Sequence, residues 1–307
     1  MKPLLNVALA AGLAAFAMAS SFATDRAWSA ANGARERFNR PASWEPAPAS
    51  MSEVANDKFI VAKGLDKVAT FVAGDEVDVK LLYVGYGAKG GCLDMSGGTL
   101  NIKEDLKIGR NSGSSGKVSV SGDDTRLNVS TAVYVGDSGN GELTISGGKV
   151  WAQFAVQMGI SNVDGNFATI NLNGGTLETA QVNASGTPTA VFNWNGGTLT
   201  HSGSNWEGGI FPANDNITVN VLEGGAFYVS DRTESFNHPL SGDGAFTCRV
   251  NSGKTLTLAG AVDLKGGFRV ESGNLKLSNL ARTKFREISV AQGCTLDLNG
   301  SSVTVSS

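Results

Sequence analysis

The sequence predicts an all-β fold, a single-stranded parallel β-helix (β-solenoid) of about ten coils of 20–29 residues each. Three observations predict it. Glycine is abundant (40 residues against 7 prolines) in a chain that is still 41% apolar, which suits many short strands joined by tight turns and argues against disorder. From Ala69 onward one unit recurs: apolar-x-apolar, a glycine turn, then apolar-x-apolar again. Within each unit the alternation has period two, as in strands, and the three-and-four spacing of an amphipathic helix is absent.

In chain order, the first segment reads as an address. Lys2 precedes an apolar run from Leu4 to Ala19, followed by Ser21-Phe22-Ala23, a small-x-small cleavage site. Residues 1–23 therefore read as a secretory signal peptide. The run is short, Ala-rich and broken by Asn6 and Gly12, which disfavours a retained membrane anchor, and no later segment approaches the ~20 apolar residues of a transmembrane helix. Residues 24–58 carry Pro41, Pro46, Pro48 and the basic cluster Arg35, Arg37 and Arg40 without alternation. They read as a flexible leader or an irregular N-terminal cap, with the cluster as part of a solvated linker. Residues 59–307 form the repeat domain.

Ten copies of the unit begin at Ala69, Leu93, Val118, Leu143, Ile170, Phe192, Val219, Cys248, Phe268 and Ile288. Leu143-Thr144-Ile145-Ser146-Gly147-Gly148-Lys149-Val150 is a clear example. In the last three copies Val250, Val270 and Val290 recur every 20 residues, as do Gly253, Gly273 and Gly293. A further strand shows in the first half, at Leu82-Tyr83-Val84-Gly85, Leu106-Lys107-Ile108-Gly109, Val133-Tyr134-Val135-Gly136 and Val156-Gln157-Met158-Gly159. Each coil is thus expected to have three sides. One coil cannot bury its own inward face, whereas stacked coils bury it and pair their backbones at about 4.8 Å spacing, giving a rod roughly 50 Å long. Each inward apolar side chain contributes about 1.5–3 kcal/mol when fully buried. The longer steps place extra loops at residues 203–216 and 231–243.

Leu240-Ser241-Gly242-Asp243-Gly244, Thr255-Leu256-Thr257-Leu258 and Gly293-Cys294-Thr295-Leu296-Asp297-Leu298-Asn299-Gly300 resemble the autotransporter-associated β-strand repeat. The upstream Val-Gly, Ser-Gly-Gly and Asn-Gly-Gly copies resemble repeats of autotransporter passenger domains and related exported bacterial proteins. The resemblance spans about residues 69–300. It implies a right-handed helix and a surface or secreted structural and interaction role. The chain stops at Ser307, with no room for a translocator barrel, so self-export across an outer membrane is not expected.

Net charge is −3 and pI about 5.5, which leaves no basic footprint for nucleic acid. Candidate acids for a β-helix polysaccharide lyase or hydrolase are Asp123, Asp124, Asp215, Asp231 and Glu234, all in turn-like stretches where Asp is favoured for backbone reasons. His201 and His238 are far apart, and no metal site or cofactor is expected. Asp137-Ser138-Gly139-Asn140-Gly141 lacks the tandem period of calcium-binding β-rolls and reads as a plain turn. The glycine turns lack the Lys-Ser/Thr pair and the helix of a phosphate loop. The expectation is a non-enzymatic protein.

Aligning the copies puts Asn101, Asn128, Trp151, Glu178, Thr200, Tyr228, Thr257, Lys276 and Asp297 in one outward column. Trp151 and Tyr228, with Glu178, Thr200 and loop residue Trp206, are the candidate ligand-binding residues, and an extracellular polysaccharide or cell-surface component is the candidate partner. The rival expectation has the 203–216 loop, with Trp206 and Phe211, folding over the exposed ring. Cys248 aligns with inward positions and Cys92 with outward Glu142, so no intramolecular disulfide is expected.

Overall fold

The computed structural model describes residues 24–29, 35–161, 165–186, 189–203, 209–212, 216–278, 283–299 and 302–304; the expected signal peptide lies outside them. Within these residues the chain is a parallel β-solenoid of about nine turns. Its helical content is two single 3-10 turns, Pro41–Ser43 and Met51–Glu53. No helix among the described residues is long and apolar enough to cross a membrane.

Each full turn lays one strand on each of three faces, as Ser115–Val120 on the first, Arg126–Val129 on the second and Ala132–Val135 on the third. The first face is an eleven-stranded parallel sheet running from Arg35–Arg37 to Thr283–Phe285. It aligns Leu93, Val118, Leu143, Ile170, Phe192 and Val219 in one register column, and this column is buried because period-two alternation sends every second side chain inward. On the third face Leu82, Leu106, Val133 and Val156 align in the same way and are fully buried. In the middle of the rod, Lys149–Met158 and Thr176–Ala184 each run from the second face onto the third, with a register break between Ala152 and Ala155.

Glycine closes the corner between the third and first faces. Gly109 has φ of +69°, and a Cβ there would lie 2.1 Å from the Asn140 carbonyl oxygen of the next turn. Both the backbone conformation and the contact exclude other residues. Outward polar side chains form ladders along the rod: Asn220 Nδ2 donates to Asn193 Oδ1 at 3.0 Å, and Asn193 Nδ2 to Asn171 Oδ1 at 2.9 Å. Asn171 is therefore part of a hydrogen-bonded stack and not an isolated surface residue.

The faces of the last turns differ from the alignment above. Leu240–Gly242 and Val262–Leu264 continue the first face, whereas Cys248, Phe268 and Ile288 lie on the second, Cys248 pairing with Tyr228 and Phe268 with Ile288. Thr257, Lys276 and Asp297 consequently share a sheet with Ser235 and leave the Trp151 column. The inward and outward assignments survive, since Val270 is buried and Arg269 exposed. Alternation reports which side of a strand faces inward, but not which face of the coil carries that strand.

Residues 24–29 and 35–58 pack onto the first turns. Asp25–Trp28 pairs in parallel with Lys58–Val61, and Arg35–Arg37 with Val68–Phe71. Trp28, Phe38 and Trp44 are buried and join Phe59 in an aromatic cluster with centroid distances of 4.4–5.3 Å. Two arginines of the basic cluster are tied to acids, Arg37 to the buried carboxylate of Asp75 and Arg35 to Asp94, while Arg40 is exposed.

The three cysteines are free thiols. Burial pushes the Cys248 thiol up to about 12, and Cys294 is also buried. Cys92 is only partly exposed, and burial with Asp94 beside it raises its thiol as well, so a thiol reagent at pH 8 is expected to react slowly with Cys92 in the native protein and with all three cysteines only after denaturation without reductant. Fewer than three reactive thiols in the denatured, unreduced chain would show a bridge.

Candidate functional site

The second face carries the residues singled out as ligand-binding. Trp151 is half-buried on its outer surface, in register with Asn128 on one side and Glu178 on the other. Thr200 follows Glu178 in the same column. Beyond Trp151 the face opens into a groove of about 390 Å³, lined by Glu178, Thr200, His201, Ser230, Asp231 and Asn251. Glu178 Oε2 accepts from Lys149 Nζ at 2.6 Å, so the groove is charge-balanced at that edge. His201 Nδ1 accepts from the Gly203 backbone N–H at 3.0 Å, and Arg232 donates to the Gly203 carbonyl at 2.7 Å, which holds the corner of the groove in shape. Burial holds the His201 imidazole below its ordinary value, against the opposing pull of Glu234.

Tyr228 does not belong to this face's outer surface. It pairs with Leu199, while Thr200 pairs with Val229, and Tyr228 is fully buried. The strand Ala226–Ser230 meets Thr198–Thr200 one residue later than alignment on the double glycine implies. A one-residue slip reverses every side chain in a strand. The ring packs on Phe236 at 4.8 Å, and burial together with the Glu234 carboxylate pushes the phenol up.

The 203–216 segment provides no cover from Phe211. Ile210 and Phe211 are fully buried; Ile210 accepts from the Val182 N–H at 2.8 Å and Phe211 bridges to Phe236, so the two residues stand in for the third-face strand of their turn. Trp206 and Asp215 lie outside the described residues. Asp123, Asp124 and Asp231 are exposed. Among the described residues no three His, Cys, Asp or Glu side chains converge as a metal site.

A second aromatic surface lies on the outer side of the third face. Tyr83, Lys107 and Tyr134 occupy one register column. Lys107 Nζ sits 4.3 Å from the Tyr134 ring centroid, while Lys58 Nζ and the Arg110 guanidinium lie 5.7 and 5.9 Å from that of Tyr83. Asp137 accepts from Arg110 at 2.8 Å. Burial, with Asp105 and Asp137 nearby, raises the Tyr134 phenol. The signal for this strip stands in the sequence, where Leu82-Tyr83-Val84 and Val133-Tyr134-Val135 put tyrosine at the same outward position of two copies.

Comparison with known protein families, with curated proteins and with solved structures finds no match to this chain.

Proposed function

We propose that the protein is an exported, surface-exposed or secreted solenoid, a rigid spacer that also presents a binding face to an extracellular polysaccharide or cell-surface glycan. One observation carries the binding half of this reading: Trp151, Glu178 and Thr200 follow one another along a register column that opens into a polar groove. A half-exposed indole offers an apolar face for stacking, and the hydroxyl, carboxylate, imidazole and amide groups beyond it match the hydroxyls of a neutral sugar chain laid along the rod. The parallel stack supports the spacer half, because each turn is fixed by its neighbours' backbone bonds. Export rests on the signal-like residues 1–23.

The test is a glycan array probed with the mature protein, followed by Trp151→Ala and Thr200→Val on whichever glycan is retained. Each variant is expected to bind at least tenfold more weakly with an unchanged melting curve. Binding equal to the parent's in both variants would remove the groove from the proposal.

A polysaccharide-processing reading draws on a different feature of the same groove. Glu178 and Asp231 both line it two turns apart, about 9.6 Å along the axis, and paired carboxylates at comparable separation serve inverting hydrolysis. Binding is the stronger reading, because Glu178 is engaged by Lys149 and the Asp231 side chain is 74% exposed, leaving neither held in the water-excluded setting a general acid uses. Release of reducing ends from a polysaccharide, lost in Glu178→Gln and Asp231→Asn, would reverse that order.

A further inference from the structure

We propose that the N-terminal end of the rod holds a second site, at the corner between the third and first faces, that takes a carboxylate-bearing sugar unit of an acidic polysaccharide. A cleft of about 380 Å³ lies there, bordered by Trp28, Ile60, Tyr86, Lys63 and Lys89. Its size falls within the range of small-molecule sites.

Tyr86 is the aromatic platform. Its ring stacks on Tyr83 with centroids 5.4 Å apart and planes 10° from parallel, yet the residue remains 37% exposed. One ring face is therefore used, and the exposed remainder of the residue borders the cleft. The remaining tyrosines of the strip are attended by cations: Lys58 and Arg110 lie at Tyr83, and Lys107 at Tyr134. Tyr86 is thus the ring in this strip open to a ligand. Gly87, the next residue, also borders the cleft, and a Cβ built on it would meet nothing within 4 Å. The platform is uncrowded on that side.

Charge complementarity selects the occupant. Lys63 and Lys89 are both exposed at the rim, and neither makes an ion pair among the described residues, where most other lysines do. No carboxylate lines the cleft. Two like charges at one rim repel each other, and an anion placed between them relieves that repulsion. An apolar ring face beside two unpaired ammonium groups describes a sugar ring that bears a carboxylate. A neutral sugar or an apolar peptide side chain would leave both lysines unmatched.

The site lies about four turns, or roughly 19 Å along the axis, from the Glu178 groove, and stands or falls independently of it. The experiment is calorimetric titration of the mature protein with uronate tetramers (galacturonate, glucuronate and mannuronate) and with their methyl esters, at low and high salt. The parent protein is expected to bind at least one acidic tetramer tenfold or more tightly than its ester, with affinity falling as salt rises. The double variant Lys63→Gln, Lys89→Gln should lose that tenfold preference, while Tyr86→Ala should weaken acid and ester alike by fivefold or more. All three substitutions are at exposed positions, and circular dichroism melts verify the fold. The proposal is overturned if the parent binds no uronate, binds acid and ester equally, or is matched in affinity by the variants.

Discussion

Replacing Gly116 by valine is expected to destabilise the protein by about 3 kcal/mol or more, among the largest effects of any single substitution in the rod. Gly116 opens the inward-facing part of the strand Ser115–Val120. A Cβ there would fall 2.1 Å from the Val84 carbonyl oxygen and 2.6 Å from the Gly109 nitrogen. Those two atoms bond to each other at 2.8 Å and tie consecutive turns together at the corner. The added side chain therefore collides with backbone that cannot rotate away, and relief requires opening the contact between turns. Its register neighbours Gly91 and Gly141 are equally closed, whereas the column continues as Ala168 and Ala190, where a methyl is accommodated. In a solenoid each turn is held mainly by its neighbours, so the loss should reach the turns on both sides of Gly116. Urea melts followed by far-UV circular dichroism measure it. A valine variant within about 1 kcal/mol of the parent would show that the corner is not packed as described.

The repeat itself was legible in the sequence, because alternation is a local property and survives changes of coil length. Leu93 through Val219 align as their spacing implies, and the third-face column Leu82, Leu106, Val133 and Val156 does too. Errors entered where coil length changes. Past Val219 the strand that continues the first face starts at Leu240, while the motif anchored on Cys248 lies on the second, since a 20-residue coil repeats the same apolar-x-apolar signature on every side. Tyr228 was turned outward by one extra residue after its double glycine, a difference too small for motif matching to resolve. Residues 24–58 offered no period because irregular side chains, Trp28, Phe38 and Trp44, hold them in place. The binding column was legible in part: Trp151, Glu178 and Thr200 do share it, but the groove depends on His201, Ser230 and Asp231, which two segments on successive turns bring together. The Tyr86 cleft was not legible at all. It is built from Trp28, Ile60 and Tyr86, residues of segments whose mutual placement no local pattern records.

Truncating Trp194 to alanine is expected to cost about 3–5 kcal/mol, against less than about 1 kcal/mol for the same change at Trp151. The two tryptophans have the same chemistry and opposite orientation. Trp194 ends the strand Thr189–Trp194, in register between Leu172 and Val221, and is fully buried. Its ring lies edge-on to Phe192 at 5.8 Å and Phe246 at 5.9 Å, with Phe211 and Phe236 each at 6.5 Å. These rings come from four different strands or segments on all three faces, so Trp194 is the shared contact that fills the interior where the turns lengthen. Its Nε1 also donates to the Gly197 carbonyl at 2.7 Å, fixing the turn that follows its own strand. Alanine would leave a cavity that rigid neighbouring turns cannot collapse into, and would remove that hydrogen bond as well. Trp194→Phe separates the two effects: it keeps most of the volume and should lose chiefly the bond, about 1 kcal/mol. Trp151, by contrast, stands half-exposed on the outer surface, and its removal opens no interior space. Denaturant melts on the three variants decide the matter. Equal losses for Trp194→Ala and Trp151→Ala would mean that the inward and outward faces of these two strands have been interchanged.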